Sequence, residues 1–189
     1  MILADKLRHN ISFRMMALQF HLRDISEPPE RILAEIGIMQ GMTVLDFGCG
    51  PGSFSLAAAR LTGHMGKVYA MDIDVHAINC VDKAARHHGV ENIQIINGET
   101  MGDIPTGTVD VVVMYDVLHQ IRIPSQILVE IYRVLKLRGI LSVGDHHLGE
   151  EALLNTVTKD GLFRLSNQIR HYYQFVGVQN EGAHLCSIK

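Results

Sequence analysis

Apolar residues along this chain follow two periods that take turns. Short runs rich in Val, Ile, Leu and Met occupy Met42–Phe47, Gly66–Met71, Ile93–Ile96, Val109–Met114 and Gly139–Val143. That pattern predicts buried strands. In Val109–Met114 the apolar character is interrupted only by Asp110, which predicts burial on both faces of a sheet. Between the runs, apolar residues recur three or four apart. This predicts helices over Ser53–Leu61, Val75–His87, Ile127–Leu135 and Glu150–Thr158; Val75, Ile78, Val81 and Ala85 share one side of the second. Two last runs, Phe163–Ile169 and His171–Val176, predict an antiparallel pair. Repeated strand–helix units with right-handed crossovers force a parallel sheet. The expected architecture is therefore α/β: a doubly wound, mostly parallel seven-stranded sheet with a C-terminal antiparallel hairpin and helices on both faces.

Residues 1–40 differ in character. Ile11, Met15, Leu18 and Leu22 form one helical face, Ser26-Glu27-Pro28-Pro29 marks a turn, and Pro29–Ile36 predicts a second short helix ended by Gly37. The chain thus divides into an N-terminal helical segment, residues 1–40, and a core, residues 41–189.

The most specific stretch is Val44-Leu45-Asp46-Phe47-Gly48-Cys49-Gly50-Pro51-Gly52-Ser53-Phe54. A strand empties into glycines at every second position, and a helix follows. Glycines let backbone amides approach a ligand closely, and the helix adds the positive end of its dipole. A dinucleotide fingerprint is G-x-G-x-x-G. Here the third glycine falls one residue early, and an acid stands two residues before the first. The eight residues Leu45–Gly52 resemble motif I of the class I S-adenosylmethionine (SAM)-dependent methyltransferases, in the type 11, ubiquinone-biosynthesis-like group. The resemblance covers roughly residues 30–178. It implies a Rossmann-like fold, SAM as methyl donor and S-adenosylhomocysteine (SAH) as product.

It also implies roles for particular residues. The amides of Gly48, Gly50 and Gly52 suit the amino-acid end of SAM, with Asp46 near its ammonium or bracing the loop. Cys49 is read as a small residue filling a tight space. Asp72, which ends the second strand, matches the family's ribose ligand, because a carboxylate can accept from two vicinal hydroxyls. Asp74 is the better helix cap. Ile73 matches the apolar residue against adenine. After the third strand come Gly98 and Glu99, where the family carries an acid near the adenine amino group; Glu99 is one methylene longer than the usual Asp.

The fourth strand runs into Tyr115-Asp116-Val117-Leu118-His119, resembling the family's fourth motif, and the fifth into Gly144-Asp145-His146-His147. Tyr115, Asp116, His119 and His146 are therefore the catalytic candidates, with Asp116 also placed to touch the cofactor. Transfer from a sulfonium needs an aligned nucleophile, and an oxygen or nitrogen acceptor also needs its proton removed. Histidine does this near neutral pH, which makes His119, His146 and His147 candidate bases, against which stands a role as hydrogen-bonding support. Asp116, Asp145 and His146 also resemble the metal carboxylates of catechol-type O-methyltransferases, and imidazole in that set would favour a transition metal; otherwise no metal is expected.

Additions to the core usually set the acceptor in this family. Phe13, Met15, Met16, Leu18 and Phe20 form a candidate lid, against which stand ordinary packing or a dimer contact. With a lid, deleting residues 1–24 weakens turnover more than SAM affinity.

With 189 residues, the chain has the length of one domain, and it carries no apolar run near twenty residues, no secretory leader pattern and no Lys/Arg block at a formal net charge of −3. The expected partner is a small-molecule acceptor rather than nucleic acid. Cys49, Cys80 and Cys186 lack metal or disulfide spacing, which suits a cytoplasmic protein, monomer or homodimer. Against the leading reading stand an RNA or protein methyltransferase, a non-enzymatic SAM-fold binding protein and, more remotely, an NAD(P)-dependent oxidoreductase.

Overall fold

The computed structural model describes residues 23–179 together with Met15. A seven-stranded sheet forms the centre: β1 (Thr43–Phe47), β2 (Lys67–Asp72), β3 (Ile93–Asn97), β4 (Val109–Tyr115), β5 (Leu135–Gly144), β6 (Phe163–Ile169) and β7 (Tyr172–Gly177). The spatial order is β3-β2-β1-β4-β5-β7-β6. The first five strands are mutually parallel, and β7 lies antiparallel to both β5 and β6. The helices are α1 (Pro29–Glu35), α2 (Ser53–Thr62), α3 (Val75–His87), α4 (Pro124–Val134) and α5 (Glu150–Thr158). This is the doubly wound α/β sheet with a terminal hairpin that the alternation predicts.

The period of two along the strands sorts the core. Leu45, Phe47, Val112, Met114, Leu141 and Val143 face one way and pack with Leu128, Ile131, Leu153 and Val157 of α4 and α5. Val44, Val68, Val111 and Val113 face the other way, against Ile32, Leu33, Ala57 and Ala58 of α1 and α2. Such two-sided burial is why the strands read as nearly continuous apolar runs. Order reverses between β1 and β4, so the crevice beyond their carboxyl ends is the place for a ligand.

Two boundaries depart from the sequence expectation. Helix α4 starts at Pro124, at its first turn, where a missing N–H costs nothing. It ends at Val134, and Leu135 turns directly into β5, pairing with Val109. The register then shifts until Ile140 meets Val111. Gly139 permits this irregular start, since a Cβ there would meet Leu135 Cδ2 at 2.8 Å and Lys136 O at 3.0 Å. Lys136 Nζ reaches Asp110 at 2.7 Å, which explains the one acid inside the β4 run.

Of the candidate lid residues, Phe13, Met16, Leu18 and Phe20 lie outside the described residues. The side chain of Met15 is exposed. Among the described residues, no helix is long and apolar enough to cross a membrane.

Candidate active site

The glycine loop joins the carboxyl end of β1 to α2. Gly48, Gly50 and Gly52 have φ of 74°, 52° and 93°. This left-handed backbone suits residues without a Cβ. A Cβ on Gly48 would stand 2.6 Å from Val117 Cγ2, so the loop is pressed against the segment after β4. The loop amides are tied inward. Gly48 N and Cys49 N both donate to Met71 O at 2.8 and 2.9 Å, and Gly52 N donates to Cys49 O at 3.0 Å. Gly50 N donates to Asp72 Oδ2 at 2.9 Å. All three glycine amides offered by the sequence to the amino-acid end of SAM are thus committed to protein acceptors.

Asp72 also accepts from Asp74 N through Oδ1 at 2.8 Å. A carboxylate has about four lone-pair sites, so room remains for two further donors. Asp74 caps α3, accepting from His76 N at 2.8 Å, as its position predicts. Asn97, which the sequence reading passed over, braces the turn by donating to Asp72 O at 3.0 Å. Ile73, which follows β2, is 70% exposed. Gly98 N donates to Asp72 O at 3.1 Å, and Glu99 is exposed beyond it.

Beneath the loop Asp46 is only 4% exposed and accepts from Ser55 Oγ at 2.6 Å. Burial pushes its carboxyl up to about 7 against that hydrogen bond; the charge of Asp72 adds to the rise and that of Arg23 opposes it. Cys49 is buried, and burial raises its thiol.

The far wall is built by β4 and β5, which end in step, Tyr115 opposite Gly144. Each strand is followed by an acid, and each acid takes the histidine that follows the other strand. Asp145 accepts from His119 N at 3.0 Å and from Nδ1 at 2.9 and 3.0 Å through its two oxygens. Asp116 Oδ1 accepts from His146 N at 3.0 Å and Nδ1 at 2.8 Å. In a neutral imidazole these bonds place the proton on Nδ1 and leave Nε2 as the acceptor. Asp116 adopts φ of 54°, an unusual conformation that Asp tolerates better than most residues. Burial alone would raise its carboxyl, but the two His146 hydrogen bonds and the nearby positive charges outweigh it and hold it lower.

Further imidazoles crowd this wall. His119 and His147 rings stand 4.3 Å apart and His146 and His171 rings 4.9 Å apart, centroid to centroid. His171 Nε2 lies 3.5 Å from Glu27 Oε2, and burial lowers the ring's basicity. Tyr115 is different. Its hydroxyl is bonded to Ser142 Oγ at 2.8 Å, its ring packs on Phe54 and Tyr172, and burial pushes the phenol up. Its side chain belongs to the core between sheet and α2.

The residues suggested for a metal do not converge. Asp116 is engaged with His146, and Asp145 with His119 and His147 N, and among the described residues no three His, Cys, Asp or Glu side chains are grouped to hold an ion.

Similarity to known proteins settles the family. A family model described as a methyltransferase domain matches residues 38–177. The chain belongs to this family. A SAM-dependent methyltransferase from Aquifex aeolicus superposes on this methyltransferase-domain protein with a TM-score of 0.69 at 26% identity, over 79% of this chain and 87% of that one. Family and fold are thus those of class I SAM-dependent methyltransferases, as motif I implied. The probable cobalt-precorrin-6B C(15)-methyltransferase (decarboxylating) of Saccharolobus solfataricus is 40% identical over 75 residues, 39% of this chain and 38% of that protein. The demethylmenaquinone methyltransferase of Geobacillus stearothermophilus is 26% identical over 137 residues, 72% of this chain and 55% of that protein. The chain therefore spans about half or less of the curated relatives it matches.

Proposed function

We propose that this protein transfers a methyl group from SAM to a small-molecule acceptor, at oxygen or nitrogen, releasing SAH. The observation that carries the reading is the pair of crossed aspartate–histidine contacts at the carboxyl ends of β4 and β5, beside the strand β1 that runs into the glycine loop. A protein that merely bound SAM would need no such imidazoles.

The remaining lone pairs of Asp72 take the ribose hydroxyls, and Ile73 lies against adenine, with Gly98 and Glu99 at its far edge. Gly48, Gly50 and Gly52 contribute by letting the loop approach closely, and Cys49 by filling it. SAM supplies the activated methyl on a sulfonium. His119, oriented by the buried Asp145, takes the acceptor's proton through Nε2 as the acceptor aligns. His146 serves as a second imidazole on the acceptor side, held by Asp116. A carbon acceptor is a second reading, favoured by the C(15) in the name of the Saccharolobus relative; the same base would serve an acidic C–H. The absence of a Lys/Arg block in the sequence weighs against RNA.

Calorimetry tests the reading first: SAM and SAH bind, NAD does not, and Asp72→Ala weakens SAH at least about tenfold. Label transfer from methyl-tritiated SAM across a panel of phenols, amines and enols then identifies the acceptor. An Asp72→Ala protein that bound SAH as well as the parent would end the assignment.

A further inference from the structure

Among the described residues, Nε2 of His171 is the only buried side-chain nitrogen or oxygen without a hydrogen-bond partner. Buried polar atoms are satisfied as a rule, so an exception calls for a physical cause. His171 immediately precedes β7. Its carbonyl oxygen would lie 3.4 Å from a Cβ on Gly144, the last residue of β5, so it stands beside the strand end that leads into Asp145 and His146. Its ring contacts two others, at 4.2 Å from that of Tyr172 and 4.9 Å from that of His146, centroid to centroid.

Glu27 Oε2 is 3.5 Å from the unpartnered Nε2. A carboxylate only accepts, so in the neutral ring the proton belongs on Nε2 and Nδ1 is the acceptor. That is the reverse of His119 and His146, whose Nδ1 faces an acid. Glu27 is itself held in place. Its N–H donates to Arg23 O at 2.8 Å, closing a helical turn; Arg23 Nη1 lies 3.3 Å from Asp116 Oδ2, and Glu27 Oε1 lies 3.7 Å from Arg170 Nη1. Burial lowers the basicity of His171, with the charges of His146 and Arg170 acting the same way and those of Glu27 and Asp116 against it. The ring is thus neutral at neutral pH. Its side chain keeps 39% of its surface, and since Nε2 is buried, that surface lies away from Nε2.

Three imidazoles that each face a carboxylate therefore stand where β4 and β5 finish and β7 begins. Taking one proton from an acceptor needs a single lone pair, and His119 supplies it. We propose that His171 binds the methyl acceptor, Nδ1 accepting a hydrogen bond from an O–H or N–H other than the one methylated, and that Glu27 positions the ring. Because the rings of His146 and His171 are close together, the acceptor class is one with two neighbouring protic groups, such as an aminophenol. No proton passes to His171; it fixes which group of the acceptor meets His119. The inference rests on the reading of the ends of β4 and β5 as the acceptor side of a methyltransferase.

Two measurements on the full chain test it. Nitrogen-15 NMR of the imidazoles should find His171 of the parent protonated on Nε2 when neutral, with Glu27→Ala shifting it toward a mixture of tautomers. A parent ring protonated on Nδ1 overturns the pairing. Methyl-tritiated SAM is then supplied with 2-aminophenol, phenol or aniline. In the parent, kcat/KM for 2-aminophenol should exceed that of the better single-group probe by about fivefold or more, as one added hydrogen bond allows. His171→Phe keeps a ring against Tyr172 and His146 and removes Nδ1. The advantage should then fall to within about twofold, with SAH affinity by calorimetry within about twofold of the parent; a tenfold loss of SAH affinity would instead take His171 off the acceptor side. Glu27→Ala should lose part of the advantage, and it decides the matter if His171→Phe does not fold. An advantage lost in His171→Phe and whole in Glu27→Ala removes Glu27 as the positioning residue, and one that survives in both variants overturns the proposal. So does a parent that binds SAH yet shows no preference for 2-aminophenol or methylates none of the probes, and the SAM-dependent reading stands in either case. A parent that binds no SAH sinks that reading and the inference with it.

Discussion

His119 Nδ1 lies 2.9 Å from Asp145 Oδ2, and the backbone N–H of His119 donates to the same oxygen at 3.0 Å. The carboxylate side chain is fully shielded from water, whereas the imidazole keeps 23% of its surface. A buried acceptor that grips both backbone and ring fixes the tautomer and the direction of the ring. Asp145→Asn would offer the ring an amide that favours the opposite tautomer. The expected outcome is a fall in kcat of about 100-fold or more, with SAH affinity held within about twofold. Steady-state rates beside calorimetry check it; a kcat near that of the parent would remove His119 as the base.

The buried Asp46 predicts a pH dependence of stability. Its carboxyl is raised to about 7 in the folded protein, from 3.8 ordinarily. The folded state therefore holds a proton that the unfolded chain releases. That contribution is complete below pH 3.8 and is lost progressively as pH rises to about 7. Asp46→Asn keeps an acceptor for Ser55 and carries no charge. Relative to the parent, its stability should rise by on the order of 2–4 kcal/mol between pH 4 and pH 8. Urea titrations at several pH values measure the difference. A difference flat across that range would mean that Asp46 ionises as an ordinary carboxylate.

Local order was the legible part of this chain. The alternation of Val112 and Met114 with Val111 and Val113 carries the two faces of β4, and Asp74 two residues after a strand end reads as a cap before any contact is known. Pairing between distant elements was not legible. Helical spacing continues past Val134, and only the pairing of Leu135 with Val109 fixes where β5 starts. The sequence marks Asp116 and Asp145 as site acids but not that each takes the other strand's histidine, because that follows from the two strands ending in register. Arg23 gives no local sign, as its partner Asp116 is 93 residues away. Glycines announce close approach, but not that Gly50 N would already be satisfied by Asp72.

Gly52 tests how tightly the loop is built. Its φ of 93° and a would-be Cβ 2.7 Å from Val81 Cγ2 impose two separate penalties, backbone strain and a clash with α3. Gly52→Ala should cost about 2–4 kcal/mol of stability and weaken SAH binding. Val81→Ala in the same chain should recover the clash and leave the strain, giving partial rescue in a double-mutant cycle. Full additivity of the two changes would mean that the loop shifts away from α3 without cost.

Tyr115 separates packing from chemistry. Its hydroxyl and that of Ser142 satisfy each other in a fully buried setting. Tyr115→Phe leaves Ser142 Oγ without its partner, and the ring contacts with Phe54 and Tyr172 remain. The expected cost is about 1–3 kcal/mol in unfolding free energy, the penalty for one unpaired buried group. Because burial pushes the phenol above its ordinary range, it stays protonated near neutral pH and bonded to Ser142, and kcat should stay within about twofold of the parent. Tyr115→Phe,Ser142→Ala, which removes both hydroxyls, should regain most of the lost stability, since an unpaired group no longer remains. A kcat that fell by about 100-fold while the melting temperature held would overturn this placement and return the phenol to the chemistry.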